Sequence, residues 1–256
     1  MASLQIDELV YGRSGKGLNK PLNIQAHDGE CWVILGENGS GKTTLLATLA
    51  GLLRPIAGQV YIDGVALRRC PRKVLAQRLG LVTQQPQASF PFTVRESVSA
   101  GRYAHRAPWT GHDAKDRDAV ARALQATGLA EYAERRLDRL SGGEQRRAAI
   151  ATLLAQNPGA MLLDEPVQDL DVRHEVALMN HFRHLTEEQH LVMLSLHDVN
   201  LAQQYADKIL MLYPDGTWET GEPQTLITTE RLERLYGVRL RAVGGLRDHF
   251  WVPDAE

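Results

Sequence analysis

Short runs of uninterrupted apolar residues alternate along this chain with longer stretches whose apolar positions recur at helical spacing. Cys31–Leu35 (CWVIL) precedes a glycine-rich turn, and residues 79–83, 160–164 and 191–196 share its character. Runs this short, without polar alternation, predict strands covered on both faces, as in a parallel sheet. Residues 43–53 (TTLLATLAGLL) predict a helix directly after the first run. Residues 4–10, 22–26 and 59–62 alternate instead. They predict a small antiparallel layer, with turns at Asp28-Gly29 and Asp63-Gly64. The pattern is that of an α/β fold.

Residues 85–158 carry little strand character. Residues 115–127 and 144–156 predict helices, the second ending before Asn157-Pro158-Gly159. The expected organisation is a core formed by residues 1–85 and 159–256, with a helical subdomain inserted at 86–158. The tail predicts a helix over 230–236 and a glycine-turned hairpin over 238–252.

Composition narrows the classes. The 256 residues carry 29 Lys+Arg against 31 Asp+Glu, a formal net charge of −2. That balance lacks the electrostatic footprint of a nucleic-acid binder, so no nucleic-acid partner is expected. No apolar stretch approaches the ~20 residues needed to span a bilayer. The first ten residues carry Asp7 and Glu8 and do not form a signal peptide. Cys31 and Cys70 lie far apart, which excludes a disulfide scaffold or a Cys-based zinc site and fits a reducing compartment. A cytosolic chain is expected, free to dock on a membrane protein.

Gly36-Glu37-Asn38-Gly39-Ser40-Gly41-Lys42-Thr43, followed by Thr44, fits G-x-x-x-x-G-K-[ST] between a predicted strand and a predicted helix. The glycines let backbone N–H groups converge on phosphate oxygens, and the helix N-terminus adds its positive dipole end. Lys42 would reach the β- and γ-phosphates, and the Thr43 hydroxyl would ligate Mg²⁺. The run 160–164 ends in Asp164-Glu165, at the strand edge where ligands bind in open α/β sheets. Asp164 suits a Mg²⁺ shell and Glu165 a water-polarising base.

Leu140-Ser141-Gly142-Gly143-Glu144, opening a predicted helix, resembles the signature of the ATP-binding-cassette (ABC) ATPases. Ser141 can cap that helix while Gly142 and Gly143 bare its N–H groups as a second anion site. The resemblance implies a P-loop NTPase (RecA-like) core of ABC ATPase type, using ATP and Mg²⁺. It also implies a homodimer in which the Ser141–Glu144 signature of one chain closes on the γ-phosphate held by the other. It places Tyr11 as the aromatic stacking on adenine and Gln84 as the glutamine touching Mg²⁺ or the attacking water. Gln85 adjoins Gln84 and could take that assignment. Gln168-Asp169-Leu170-Asp171 matches the segment that contacts the partner, chiefly through Asp171, and His197 matches the histidine that holds the γ-phosphate. Val167 and Gln168 depart from the Thr and small residue common there, which bears on the partner contacts.

The absence of membrane helices, coiled coil or second cassette resembles a separate importer subunit. Phe90-Pro91-Phe92-Thr93-Val94 with Glu96, Gly101-Arg102-Tyr103, residues 191–206 and residues 233–238 resemble importers of metal chelates: ferric siderophores, haem or vitamin B12. That resemblance implies a permease dimer in the membrane, an extracytoplasmic solute-binding protein acting indirectly, and a place on the cytoplasmic face of the membrane. The alternatives are a soluble ABC ATPase remodelling a non-transport assembly, or the ATPase half of an exporter. His174, His181, His184 and His190 read as a solvated helix face rather than a metal site.

Overall fold

The computed structural model describes residues 3–13, 16–84, 91–106, 113–244 and 249–254. The principal strands, in chain order, are β1 (Ser3–Val10), β2 (Leu22–His27), β3 (Cys31–Leu35), β4 (Ala57–Ile62), β5 (Leu79–Val82), β6 (Ala160–Leu163), β7 (Leu191–Ser195), β8 (Lys208–Leu212), β9 (Trp218–Gly221), β10 (Leu240–Gly244) and β11 (His249–Pro253). The helices are α1 (Lys42–Leu49), α2 (Arg72–Arg78), α3 (Val94–Ala100), α4 (Ala114–Ala126), α5 (Gly142–Gln156), α6 (Val172–Glu187), α7 (Val199–Tyr205), α8 (Pro223–Leu226) and α9 (Thr229–Tyr236).

Six strands form the central sheet in the order β9-β8-β3-β7-β6-β5. All neighbours are parallel except the β8–β9 pair. The four runs without polar alternation are all in it, because both faces are covered. Alternate residues of β3 serve two cores. Cys31, Val33 and Leu35 face a cluster that includes Leu178, Phe182 and Leu235, on the helices α6 and α9. Trp32 and Ile34 face a cluster that includes Leu45 and Leu49 of α1 and the inner side chains of β1, β2 and β4. The antiparallel layer, β2-β1-β4 with the two-residue strand Val65–Ala66, alternates because only one face is covered. In β2, Leu22, Ile24 and Ala26 are buried while Asn23, Gln25 and His27 are exposed.

Helices α2, α3, α7 and α8 and strands β8 and β9 lie outside the elements predicted above, although β8 (KILML) is a run like the others. The helix expected over 43–53 stops at Leu49, and Gly51 at φ 71° turns the chain in the left-handed region favoured after helix ends. Leu52 and Leu53 therefore leave the helix and lie exposed. A third cluster joins Val94 and Val98 of α3, Val120 and Leu124 of α4, and Ala148, Ala151 and Ala155 of α5. The other side of α5 sends Ile150 and Leu153 into the first core. This helix thus belongs to both bodies. The tail hairpin, β10–β11, braces α7: Trp251 N–H donates to Asn200 Oδ1 (2.7 Å) and its indole N–H to Gln203 Oε1 (2.7 Å).

Candidate functional site

Parallel pairing brings the C-terminal ends of β3, β5, β6 and β7 to one edge. Each is followed by a polar residue singled out above: the Gly36 loop after β3, Gln84 after β5, Asp164-Glu165 after β6 and His197 after β7.

The loop after β3 packs tightly on itself. A Cβ at Gly36 would lie 2.5 Å from Ser40 Oγ and 2.8 Å from Leu212 O, so only glycine fits. Gly41, at φ 100°, is the N-cap of α1, and no side chain caps that helix. Its first N–H groups and positive dipole end are therefore aimed at the loop. Lys42 is buried and donates to Gly36 O (2.7 Å) and Glu37 O (3.1 Å). Burial lowers its pKa, against an upward pull from Glu165 and Asp164. A cavity of about 590 Å³ borders the loop, lined by Tyr11, Asn19, Asn38, Ser40, Thr44 and Tyr213 among others.

Two buried hydroxyls beside it, Tyr11 OH and Ser40 Oγ, have no hydrogen-bond partner among the described residues. Tyr11 is only 3% exposed. Its ring lies against the backbone of Gly41, where an added Cβ would meet Tyr11 Cε2 at 3.3 Å. The Tyr11 ring therefore packs against the phosphate loop with little of its surface exposed, while still bordering the cavity beside the loop. The ring sits beside the phosphate loop because Tyr11 directly follows β1, whose inner residues Leu4, Ile6 and Leu9 are buried in the core.

At the acidic strand end, Asp164 is 2% exposed. Its Oδ1 accepts from Ser195 Oγ (2.7 Å), whereas Oδ2 is buried and has no hydrogen-bond partner among the described residues. An orphaned buried carboxylate oxygen costs several kcal/mol in ordinary packing and fits a cation. Hard oxygen donors, Asp164 Oδ2 with the hydroxyl of Thr43 and the amide of Gln84, suit Mg²⁺, which needs only one or two protein carboxylates beside phosphate oxygens.

Glu165 is 5% exposed and adopts φ 50°, a conformation that costs a non-glycine residue about 1–3 kcal/mol. Gln84 Nε2 donates to its Oε2 (2.6 Å), and His197 Nε2 lies 2.5 Å from its Oε1. The loop, Gln84, Asp164, Glu165 and His197 are therefore one constellation.

Ser141 and Glu144 stand apart from it in the first turn of α5. They form a reciprocal capping box: Glu144 N–H donates to Ser141 Oγ (3.3 Å) and Ser141 N–H to Glu144 Oε2 (2.7 Å). Those bonds hold the Glu144 carboxyl below its ordinary pKa. Ser141 and Gly142 are exposed, and a Cβ at Gly142 would meet nothing within 4 Å. Asp171 caps α6, accepting from His174 N–H (3.0 Å) and facing His174 Nδ1 (2.7 Å). Of the stretch expected to dock a partner, Phe90 lies outside the described residues, as does Gln85; Phe92 is 50% exposed and Val94 is buried. His184 faces Glu187, and His190 Nδ1 lies 2.9 Å from Pro158 O. Among the described residues no three His, Cys, Asp or Glu converge as metal ligands.

Two residues outside the expected set join the site: Ser195, through its bond to Asp164, and Arg146. Arg146, 8% exposed, donates through Nη1 to Glu165 O (2.7 Å) and Gln168 O (3.1 Å), and through Nη2 to Gln84 O (2.6 Å). Only its position two residues after the signature could have flagged it.

Residues 19–168 match the family described as ABC transporter. The ferric enterobactin transport ATP-binding protein of Escherichia coli (strain K12) is 37% identical over 240 residues, spanning 93% of this chain and 89% of that protein. A hemin import ATP-binding protein of Rhizobium meliloti (strain 1021) is 36% identical over 247 residues, with 93% and 92% covered. Among solved structures, the inward-facing conformation of a transporter described as metal-chelate type superposes with a TM-score of 0.85 at 25% identity, over 100% of this chain and 99% of that one. A dimeric ATP-binding cassette, in a post-hydrolysis state with ADP and Pi, gives 0.74 at 28% identity, over 86% of this chain and 98% of that one.

Proposed function

The chain belongs to the ABC transporter ATP-binding family, and from that premise we propose that it is the ATP-hydrolysing subunit that drives uptake of a metal chelate through a separate permease. The observation that carries the ATPase reading is the convergence of the phosphate loop, the unpartnered Asp164 Oδ2 and the Glu165–His197–Gln84 cluster on one sheet edge. The cargo class rests on the relatives, whose names specify ferric enterobactin and hemin; siderophore, haem and vitamin B12 share this reading.

Gly36 to Thr44 bind the phosphates of ATP through backbone N–H groups, with Lys42 releasing its two loop carbonyls to reach the β- and γ-oxygens. Thr43, Asp164 and Gln84 are the residues that would hold Mg²⁺. When bound, that ion neutralises charge on the β- and γ-phosphates. Tyr11 takes the adenine at the cavity beside the loop. Glu165 accepts the proton of the attacking water, and His197 steadies both that carboxylate and the γ-phosphate. Positioning and charge stabilisation supply most of the rate, as in phosphoryl transfer generally.

Two chains pair with each signature facing the other's nucleotide. The open space at Gly142 supports this, because none of the described residues lies close enough to demand glycine there. Asp171 adds contacts between the chains. The helical part, 86–158, moves with α5 against the core. Exposed Leu52, Ile56 and Phe92 support docking on an apolar helix of the permease at the cytoplasmic face. A solute-binding protein delivers the chelate without touching this subunit.

The test is uptake of radiolabelled ferric siderophore, haem and cobalamin by cells carrying Lys42→Ala as the sole copy. Loss of uptake of one chelate is expected. Normal uptake of all three, or co-purification with a soluble complex rather than a polytopic membrane protein, would overturn the importer reading.

A further inference from the structure

We propose that Arg146 and Ser195 are positioning residues that hold Glu165 from both ends of its backbone, and that Arg146 couples the signature helix to the catalytic carboxylate. The proposal rests on Glu165 being the base.

Glu165 sits in the left-handed region without being glycine, so something beyond its own turn must hold it there. Its N–H donates to Ser195 Oγ (2.9 Å) and its C=O accepts from Arg146 Nη1 (2.7 Å). Ser195 comes from β7, on the strand that leads to His197, and is fully buried. The same hydroxyl donates to Asp164 Oδ1, so one side chain fixes the metal-binding carboxylate and the neighbouring base together. Arg146 lies in the second turn of α5, the helix that Ser141 caps.

Among the described residues, every bond of the Arg146 guanidinium goes to a backbone carbonyl: Glu165, Gln168 and Gln84. A buried cation with carbonyl partners alone is a costly choice for mere packing. Its planar fork reaches three segments at once, which a single ammonium cannot do. Displacement of α5, as when a second chain engages its N-terminus, therefore shifts the carbonyls that set both the Glu165 backbone and the Gln84 backbone. Arg147, the next residue, bonds Thr127 and Gly128 carbonyls on the helical side. The two arginines tie α5 to both bodies.

The test uses the purified full-length chain with MgATP. Arg146→Lys should lower kcat at least about tenfold, the scale of misplacing a catalytic group by a fraction of an ångström. KM and nucleotide affinity should stay within about twofold, because no phosphate or adenine contact is touched. In a Glu165→Gln background the same substitution should lower the residual rate by at least about threefold less than in wild type, the remainder passing through Gln84. An equal drop in both backgrounds, or a loss of affinity in place of turnover, would overturn the proposal. Should Arg146→Lys not fold, Ser195→Ala tests the other end, with the expected fall in kcat joined by a higher Mg²⁺ requirement; wild-type turnover there overturns it. Wild-type turnover in Glu165→Gln alone would sink the base assignment and leave the clamp geometry to be judged by the Ser195 and Arg146 rates.

Discussion

Replacing Glu165 by Gln changes the charge of one buried group while keeping its shape, and the structure dictates how the amide must settle. Gln84 Nε2 donates to Oε2 of Glu165 at 2.6 Å, and His197 Nε2 lies 2.5 Å from Oε1. An amide NH₂ facing Gln84 would set donor against donor. The carbonyl of the new Gln must therefore face Gln84 and its NH₂ must face His197, which becomes the acceptor at Nε2 and carries its proton on Nδ1. The geometry survives at the cost of a tautomer change. What is lost, under the proposed role of Glu165, is the proton acceptor for the attacking water. General-base loss is worth roughly 10²–10⁴ in rate, or about 3–5 kcal/mol at 1.36 kcal/mol per tenfold. No group contacting adenine or the phosphates is removed, so nucleotide affinity should hold. The assay is single-turnover hydrolysis of labelled ATP beside equilibrium binding of the same nucleotide, with chromatography to detect dimers loaded with ATP. Expected are near-normal binding, turnover slowed at least a hundredfold and an accumulated dimer. Turnover within about threefold of wild type would refute the base assignment, since no other carboxylate contacts both Gln84 and His197 among the described residues.

Lys42→Ala should abolish measurable ATP binding by fluorescence titration, because the buried ammonium is the loop's only side-chain cation; unchanged affinity would refute its role. Under the proposed pairing of each signature with the other chain's nucleotide, Ser141→Arg should leave nucleotide binding by the single chain intact but eliminate steady-state ATPase activity; retained activity would argue against a shared site. The capping box makes a pH prediction. The Glu144 carboxyl has a lowered folded pKa from its bonds to Ser141, so its stabilisation is complete above the unfolded value of 4.5 and fades as pH falls through the folded value. Thermal melts of wild type and Glu144→Gln should therefore converge as pH drops below about 4.5; a gap that widens toward acid would refute this.

The local motifs were legible because their chemistry is written in consecutive residues. A glycine-rich loop needs its glycines, Lys42 and Thr43 at fixed offsets, and the Ser141–Glu144 box needs its partners one helical turn apart. The parallel strands were legible because two-sided burial removes polar alternation. β8 escaped notice although it has the same signature, and α2 is too short and polar to carry a helical stripe. The end of the helix at Leu49 turned on one glycine inside an apolar run that otherwise reads as helix.

The sequence by itself determined which residues can bind phosphate, hold a cation and take a proton, because those capacities belong to side-chain types at short spacing. Only the tertiary structure decided how they are held. The bonds that fix Glu165 come from Gln84, Arg146, Ser195 and His197, residues drawn from four separate segments. They meet because β5, β6 and β7 are paired in parallel register, so that the residues after each strand arrive at one edge. Register depends on the packing of whole layers and leaves no periodic trace in any one segment. For the same reason nothing local to Tyr11 foretold that its ring would lie buried against Gly41, or that Asp164 would present one satisfied oxygen and one orphan.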